Sequence, residues 1–243
     1  MAKNLDQKNL PAQPYQHARY ESRRRFLRFL MRTIGFSLLA RVGEVDGIDN
    51  VPTSGPAILM INHIALIDPL VVMHVLPRNI IPMAKIEVYT YPVIGILPKI
   101  WGVIPVRREE FDRRAIQQVF EVLKAGEIVL VAPEGTRGPQ LQTARVGVAY
   151  LASRTGVPVV PVAISGTIGF PTLPLTKRWA GPKAQVRFGK PFCFRPELHR
   201  ANREELRKMS DEAMYILARA LPSEQRGVYA DLDQATQDTI LWQ

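Results

Sequence analysis

At 243 residues the chain has the length of one domain with a sizeable core. Lys+Arg number 32 against 22 Asp+Glu, a formal net charge of +10, which points to an anionic partner: nucleic acid, a membrane surface or a phosphorylated substrate. The single cysteine, Cys193, excludes an internal disulfide and fits a body that faces the cytoplasm.

Residues 1–16 are polar, lack the apolar stretch of a signal peptide and read as a disordered tail. From residue 20 to 42, arginines interleave with bulky apolar side chains. Arg24, Arg28 and Arg32 share one helical row, while Leu27, Leu30, Met31, Ile34 and Leu38 line another. This is the composition of a basic amphipathic helix lying in an anionic bilayer interface. A helix packed on the domain with its arginines merely solvated would give the same pattern. Nucleic acid is disfavoured, because zinc-ligand spacing and RNA-binding aromatic motifs are missing and the basic residues after residue 42 are scattered. The uncharged stretch 155–176 is long enough to span a bilayer, yet Pro158, Pro161, Pro171 and Pro174 forbid an unbroken helix there.

Further along, apolar β-type runs at 56–62, 102–106, 127–132, 157–164 and 184–189 alternate with helical spacings at 69–76, 113–126 and 144–156. Such alternation predicts an α/β fold, a mixed, largely parallel sheet covered by helices. After Pro196 the text predicts a surface helix, amphipathic toward its end, and residues 222–243 a short final helix.

Polar candidates stand where the apolar strands end, the edge at which α/β sheets bind ligands. The first strand runs into Asn62 and His63, with Asp68 and Pro69 following. On a continuous helix His63 and Asp68 would lie about 140° apart. Pro69 disfavours helical backbone at Asp68 and makes it a predicted N-cap, so that the intervening residues can fold the carboxylate back onto the imidazole. Alone the spacing arises by chance in many chains, and a histidine in apolar surroundings is often a satisfied core residue. A second strand runs into Pro133, Glu134, Gly135, Thr136 and Arg137, offering a glycine for close approach and a guanidinium suited to phosphate. A third ends at Arg107 and Arg108, preceded by Lys85. Each of these also fits an ordinary turn or a solvated charge. No nucleophile elbow, P-loop, dinucleotide fingerprint or metal-ligand cluster is present, so neither a metal nor a bound cofactor is expected.

Together these segments resemble the glycerolipid acyltransferase family typified by 1-acylglycerol-3-phosphate acyltransferase. Its four ordered blocks are matched by Asn62, His63 and Asp68; by Lys85, Gly102, Val106 and Arg108; by Pro133 through Arg137; and by Val157 through Pro161. Where the family often has Ser the chain has Gly138, and in place of a Lys-x-Gly it has Arg145 and Gly147. The resemblance covers residues 43–192. It implies a polar tail and membrane-association helix over 1–42 and an acyltransferase domain over 43–243, with C-terminal helices over 196–243.

By that resemblance, the acceptor is a lysophospholipid hydroxyl, that of 1-acylglycerol 3-phosphate, with another lysolipid or glycerol 3-phosphate as the alternative, and the donor is acyl-CoA or acyl carrier protein acting as co-substrate. His63 would be the general base and Asp68 its orienting carboxylate. Lys85, Arg108, Arg137 and Arg145 would hold phosphate, with Glu134, Gly135 and Thr136 shaping the acceptor site. The expected setting is the cytoplasmic face of an anionic membrane. A thioesterase, or a non-catalytic membrane-binding protein on the same fold, are the rival readings.

Overall fold

The computed structural model describes residue 16 and residues 18–35, 41–92, 95–107, 112–168 and 183–243. The strands are β1 (Val42–Asp46), β2 (Ala57–Ile61), β3 (Ile80–Lys85), β4 (Ile104–Val106), β5 (Ile128–Val131), β6 (Val159–Ser165), β7 (Ala184–Phe188), β8 (Phe192–Phe194) and β9 (Ile240–Trp242). They form one sheet in the order β1-β7-β6-β2-β5-β3-β4, with β8 pairing β6 and β9 pairing β8. The run β6-β2-β5-β3-β4 is parallel throughout, whereas β7 is antiparallel to β6 and parallel to β1.

The helices are α1 (Ala18–Leu30), α2 (Asp68–Val75), α3 (Ile96–Trp101), α4 (Arg113–Lys124), α5 (Gly147–Thr155) and α6 (Arg203–Arg219). Alternation along β2 explains why its sequence is continuously apolar. Ile58 and Met60 enter a cluster with Val119 of α4, Ala152 of α5 and Leu217 of α6. Ala57, Leu59 and Ile61 enter the opposite cluster with Val71 and Val72 of α2 and with Trp101 of α3. A strand covered on both faces has no polar position to offer until it ends.

Three predicted features differ. The helix after Pro196 is interrupted: a 3-10 turn at Pro196–Arg200 precedes α6, which starts with a capping box between Asn202 and Glu205. Toward its end α6 is amphipathic as expected: Met209, Ala213, Met214 and Leu217 repeat at helical spacing and are buried. Residues 222–243 form three short 3-10 turns and β9 in place of a helix.

The third difference concerns the basic helix. α1 is helical, but the row Arg24, Arg28 and Arg32 faces the domain. Arg24 is fully buried and donates from Nε to the Trp101 carbonyl at 2.7 Å, the last residue of α3. Arg28 donates to the Pro77 carbonyl and Arg32 to the Leu76 carbonyl, both at 2.9 Å and at the C-terminal end of α2. Helix C-termini carry unpaired carbonyls and partial negative charge, which gives guanidinium groups a stronger partner than solvent. Leu27 and Met31 pack on the core beside them. The outward face of α1 instead shows Phe26 and Phe29, each 64% exposed, with Leu30 also exposed. Leu38, and residues 1–15 of the polar tail, lie outside the described residues.

Candidate active site

The sheet register brings the sequence blocks side by side. β2 and β5 pair with Met60 opposite Val131, so three residues later His63 stands opposite Glu134. β3 and β5 pair with Pro82 opposite Leu130, which carries Lys85 to the same edge. All of these are carboxyl ends of parallel strands, the edge where backbone leaves the ladder and side chains are freed for chemistry.

Asn62 closes β2. Its buried amide donates to the Ile164 carbonyl and accepts from the Ile164 N–H, both at 2.8 Å, extending the pairing with β6 by one side chain. His63 is thereby projected from a fixed base. Its Nδ1 lies 3.1 Å from Asp68 Oδ2, and the same oxygen accepts the N–H groups of Ile64 at 2.6 Å and Ala65 at 2.7 Å. Helix α2 starts at Asp68 itself, with Pro69 inside its first turn and no side-chain cap on its own N–H groups. The carboxylate therefore turns backward onto the preceding loop instead of forward as an N-cap. Two backbone donors fix its rotamer, and the third contact fixes the imidazole.

Asp68 is fully buried while the His63 side chain keeps 13% of its surface. With Nδ1 donating to the carboxylate, the neutral ring carries its lone pair on Nε2. Among the described residues, Nε2 has no hydrogen-bond partner.

Glu134 is buried, and its two oxygens accept backbone N–H groups from opposite sides, His63 at 3.2 Å and Gln142 at 2.9 Å. Burial pushes its carboxyl up to about 7, against the downward pull of those two hydrogen bonds and with a further upward push from the Asp68 charge. Glu134 thus stitches the His63 loop to the loop after β5, and the Gly138 N–H adds a bond to the His63 carbonyl at 2.9 Å.

Gly135 has φ +70°, and a Cβ there would meet Arg145 Nε at 2.9 Å, so glycine lets the Arg145 side chain lie across the backbone. Thr136, Arg137 and Arg145 are exposed. Lys85 forms an ion pair with Glu87 at 3.1 Å at the end of β3. Arg108 lies outside the described residues, although Asp112 ties the flanking segment by accepting the Arg107 N–H at 3.0 Å and capping α4. Among the described residues, no group of three or more His, Cys, Asp and Glu side chains gathers as a metal site.

Sequence reasoning missed the splice made by Asn62 and the clamp made by Glu134, which it placed in the acceptor site. Both act on backbone groups far along the chain, and only the parallel register reveals them.

The acyltransferase family profile matches residues 43–165. The chain belongs to the acyltransferase family. It is 31% identical over 130 residues to the 1-acyl-sn-glycerol-3-phosphate acyltransferase of Borreliella burgdorferi, covering 52% of each chain. It is 31% identical over 131 residues to a chloroplastic 1-acyl-sn-glycerol-3-phosphate acyltransferase of Arabidopsis thaliana, covering 51% of this chain and 36% of that one. The match thus spans about a third to a half of these relatives' length. Among solved structures, the crystal structure of the 1-acyl-sn-glycerophosphate acyltransferase of Thermotoga maritima aligns with a TM-score of 0.59 and 27% identity, covering 79% of this chain and 78% of that one. In this acyltransferase chain the profile takes in the His63, Lys85 and Glu134 segments and ends with β6.

Proposed function

We propose that this acyltransferase moves a fatty acyl group from an acyl thioester, on CoA or acyl carrier protein, to the free hydroxyl of 1-acylglycerol 3-phosphate. The observation that carries the reading is the Asp68–His63 pair, held by three donors on one buried oxygen, with Nε2 unbonded among the described residues. An alcohol is too weak an acid to ionise near neutral pH. His63 Nε2 takes its proton as the hydroxyl oxygen attacks the thioester carbonyl, and the resulting imidazolium is stabilised by Asp68. A positioned base of this kind contributes about 10² to 10⁴ in rate. The proton then passes to the departing thiolate, which restores the neutral ring.

Arg137 and Arg145 are exposed cations on the loop that the Glu134 clamp holds, and they supply the acceptor phosphate site. Arg108 and Lys85 extend it. Holding the phosphate places the hydroxyl at His63 and so turns binding energy into orientation. The names of the relatives favour a lysophosphatidate acceptor over other lysolipids.

The substrate is a lipid, and the protein offers it an apolar approach. Phe26, Phe29 and Leu30 on α1, and Tyr91, Ile96 and Leu97 at α3, are all exposed, with Arg23 and Arg25 beside the first group. We read this face as resting on the cytoplasmic side of an anionic membrane. Among the described residues, no helix is long and apolar enough to cross a membrane.

The test is to incubate purified protein with a panel of lysolipids and both donor types and to identify products by mass spectrometry. Phosphatidic acid from lysophosphatidate, abolished in His63→Ala, is expected. Acyl release without any acceptor, or turnover on other lysolipids alone, would sink the reading.

A further inference from the structure

We propose that residues 223–229, beyond the part of the chain that the family profile matches, form a positioning strap for the arginine loop. In this arrangement Gly227 and Tyr229 set where Arg137 and Arg145 stand, and thereby how the acceptor phosphate binds. The inference rests on the reading of those arginines as the phosphate site.

Between the end of β5 at Val131 and the start of α5 at Gly147 the chain has no regular element, so its backbone groups must find partners elsewhere. On one flank they bond to the His63 loop and to Glu134, as described. On the other they bond to the strap. The Leu141 N–H donates to the Gln225 carbonyl at 2.9 Å, and the Leu141 carbonyl accepts the Val228 N–H at 3.2 Å. The Gln140 amide donates to the Glu224 carbonyl at 2.9 Å. The Ala144 N–H donates to the Tyr229 hydroxyl at 3.2 Å, and that hydroxyl donates to Asp211 at 3.0 Å.

Two residues make this contact selective. Gly227 has φ +51°, and a Cβ there would sit 2.0 Å from the Leu141 carbonyl oxygen, so the strap reaches the loop only because position 227 has no side chain. Tyr229 is 4% exposed, and its ring stands edge-on to Tyr215 with centroids 5.1 Å apart. Asp211 lies on α6, which is packed into the core. The hydroxyl therefore ties Ala144, the residue before Arg145, to α6 through Asp211. The loop is held between the His63 segment on one side and the C-terminal strap on the other, so the backbone that carries both arginines is fixed from two flanks.

The test uses the full chain and two variants. Tyr229→Phe keeps the ring and removes only the hydroxyl, while Gly227→Ala drives a methyl group against Leu141. In Tyr229→Phe the KM for lysophosphatidate is expected to rise about three- to tenfold, the size of the lost hydrogen bond to Ala144, with kcat close to wild type and the thermal midpoint lowered by only a few degrees. Gly227→Ala should show a larger rise in KM, and if it does not fold, Tyr229→Phe decides alone. The rise caused by Tyr229→Phe should vanish when Arg137→Ala and Arg145→Ala are combined, since a residue that acts through those two arginines cannot matter once both are gone. An unchanged KM in Tyr229→Phe, or full additivity with the double arginine variant, overturns the strap. If the double arginine variant itself leaves KM unchanged, the phosphate reading has failed instead. Hydrogen exchange then judges the strap separately: faster exchange of the Leu141 and Ala144 amides in Tyr229→Phe supports it, and unchanged exchange rejects it.

Discussion

His63 Nδ1 and Asp68 Oδ2 meet at 3.1 Å across a turn whose own N–H groups, at Ile64 and Ala65, bind the same oxygen. The carboxylate is therefore oriented before any substrate arrives. Asp68→Asn tests this relationship with little change in volume. The amide oxygen would stay with the N–H groups of Ile64, Ala65 and the imidazole, so the ring keeps its place but loses the negative charge that stabilises the imidazolium. We expect kcat to fall by about 10² to 10⁴, with acceptor KM nearly unchanged. Steady-state kinetics on the purified variant, with circular dichroism to verify the fold, would check it. Loss in KM alone would remove Asp68 from its orienting role.

Glu134 carries a pH signature. Its carboxyl titrates near 7 in the folded protein against an ordinary value of 4.5. A carboxyl with a raised folded pKa binds its proton more tightly in the folded state than in the unfolded one. Its contribution is fully present below pH 4.5 and is lost as pH rises toward 7, by an amount on the order of 3 kcal/mol. Denaturant midpoints of the wild type measured from pH 4.5 to 7 should thus fall relative to those of Glu134→Gln, which cannot titrate. Parallel curves for the two proteins would show that the carboxyl is not the source.

Much of this architecture was legible because strands covered on both faces print as apolar runs, and each run ended at a polar block. The distance between blocks was not legible. Residues 63 and 134 are neighbours through the β2–β5 register, and nothing in either segment encodes that pairing. Strands β1 and β3 escaped for a related reason: β1, with Gly43, Glu44 and Asp46, has no apolar alternation, and β3 is broken in appearance by Pro82. At the C-terminus the strap residues are held by backbone bonds to a loop some 85 positions away, and only Gly227 hinted at a tight approach.

The arginine row of α1 was read correctly as a row and incorrectly in direction, because helical spacing identifies a face without saying what it meets. Arg24 makes the difference measurable. Since its side chain is fully buried and its Nε bonds to the α3 terminus, Arg24→Ala leaves a cavity and an unpaired carbonyl. We expect a loss of about 2–4 kcal/mol, lowering the thermal midpoint by about 4–16 °C for a chain of this size. A solvated arginine would cost almost nothing, and an unchanged midpoint would return α1 to that description.

Membrane contact then depends on the outward face. Phe26 and Phe29 are each 64% exposed, with Arg23 and Arg25 on the same exposed side. Replacing both phenylalanines with glutamate removes apolar area and sets negative charge against anionic headgroups. Cosedimentation with vesicles containing phosphatidylglycerol should show binding reduced at least about tenfold, from apolar transfer of even one aromatic ring. Arg23→Ala with Arg25→Ala should weaken binding by about 1 kcal/mol per charge and flatten its salt dependence. Activity on a short-chain, water-soluble lysophosphatidate should survive in all of these variants, because the substitutions lie on α1 and leave the Asp68–His63 pair intact. Wild-type vesicle binding by the glutamate variant would move the membrane face elsewhere on the protein, with Tyr91, Ile96 and Leu97 at α3 the next residues to change.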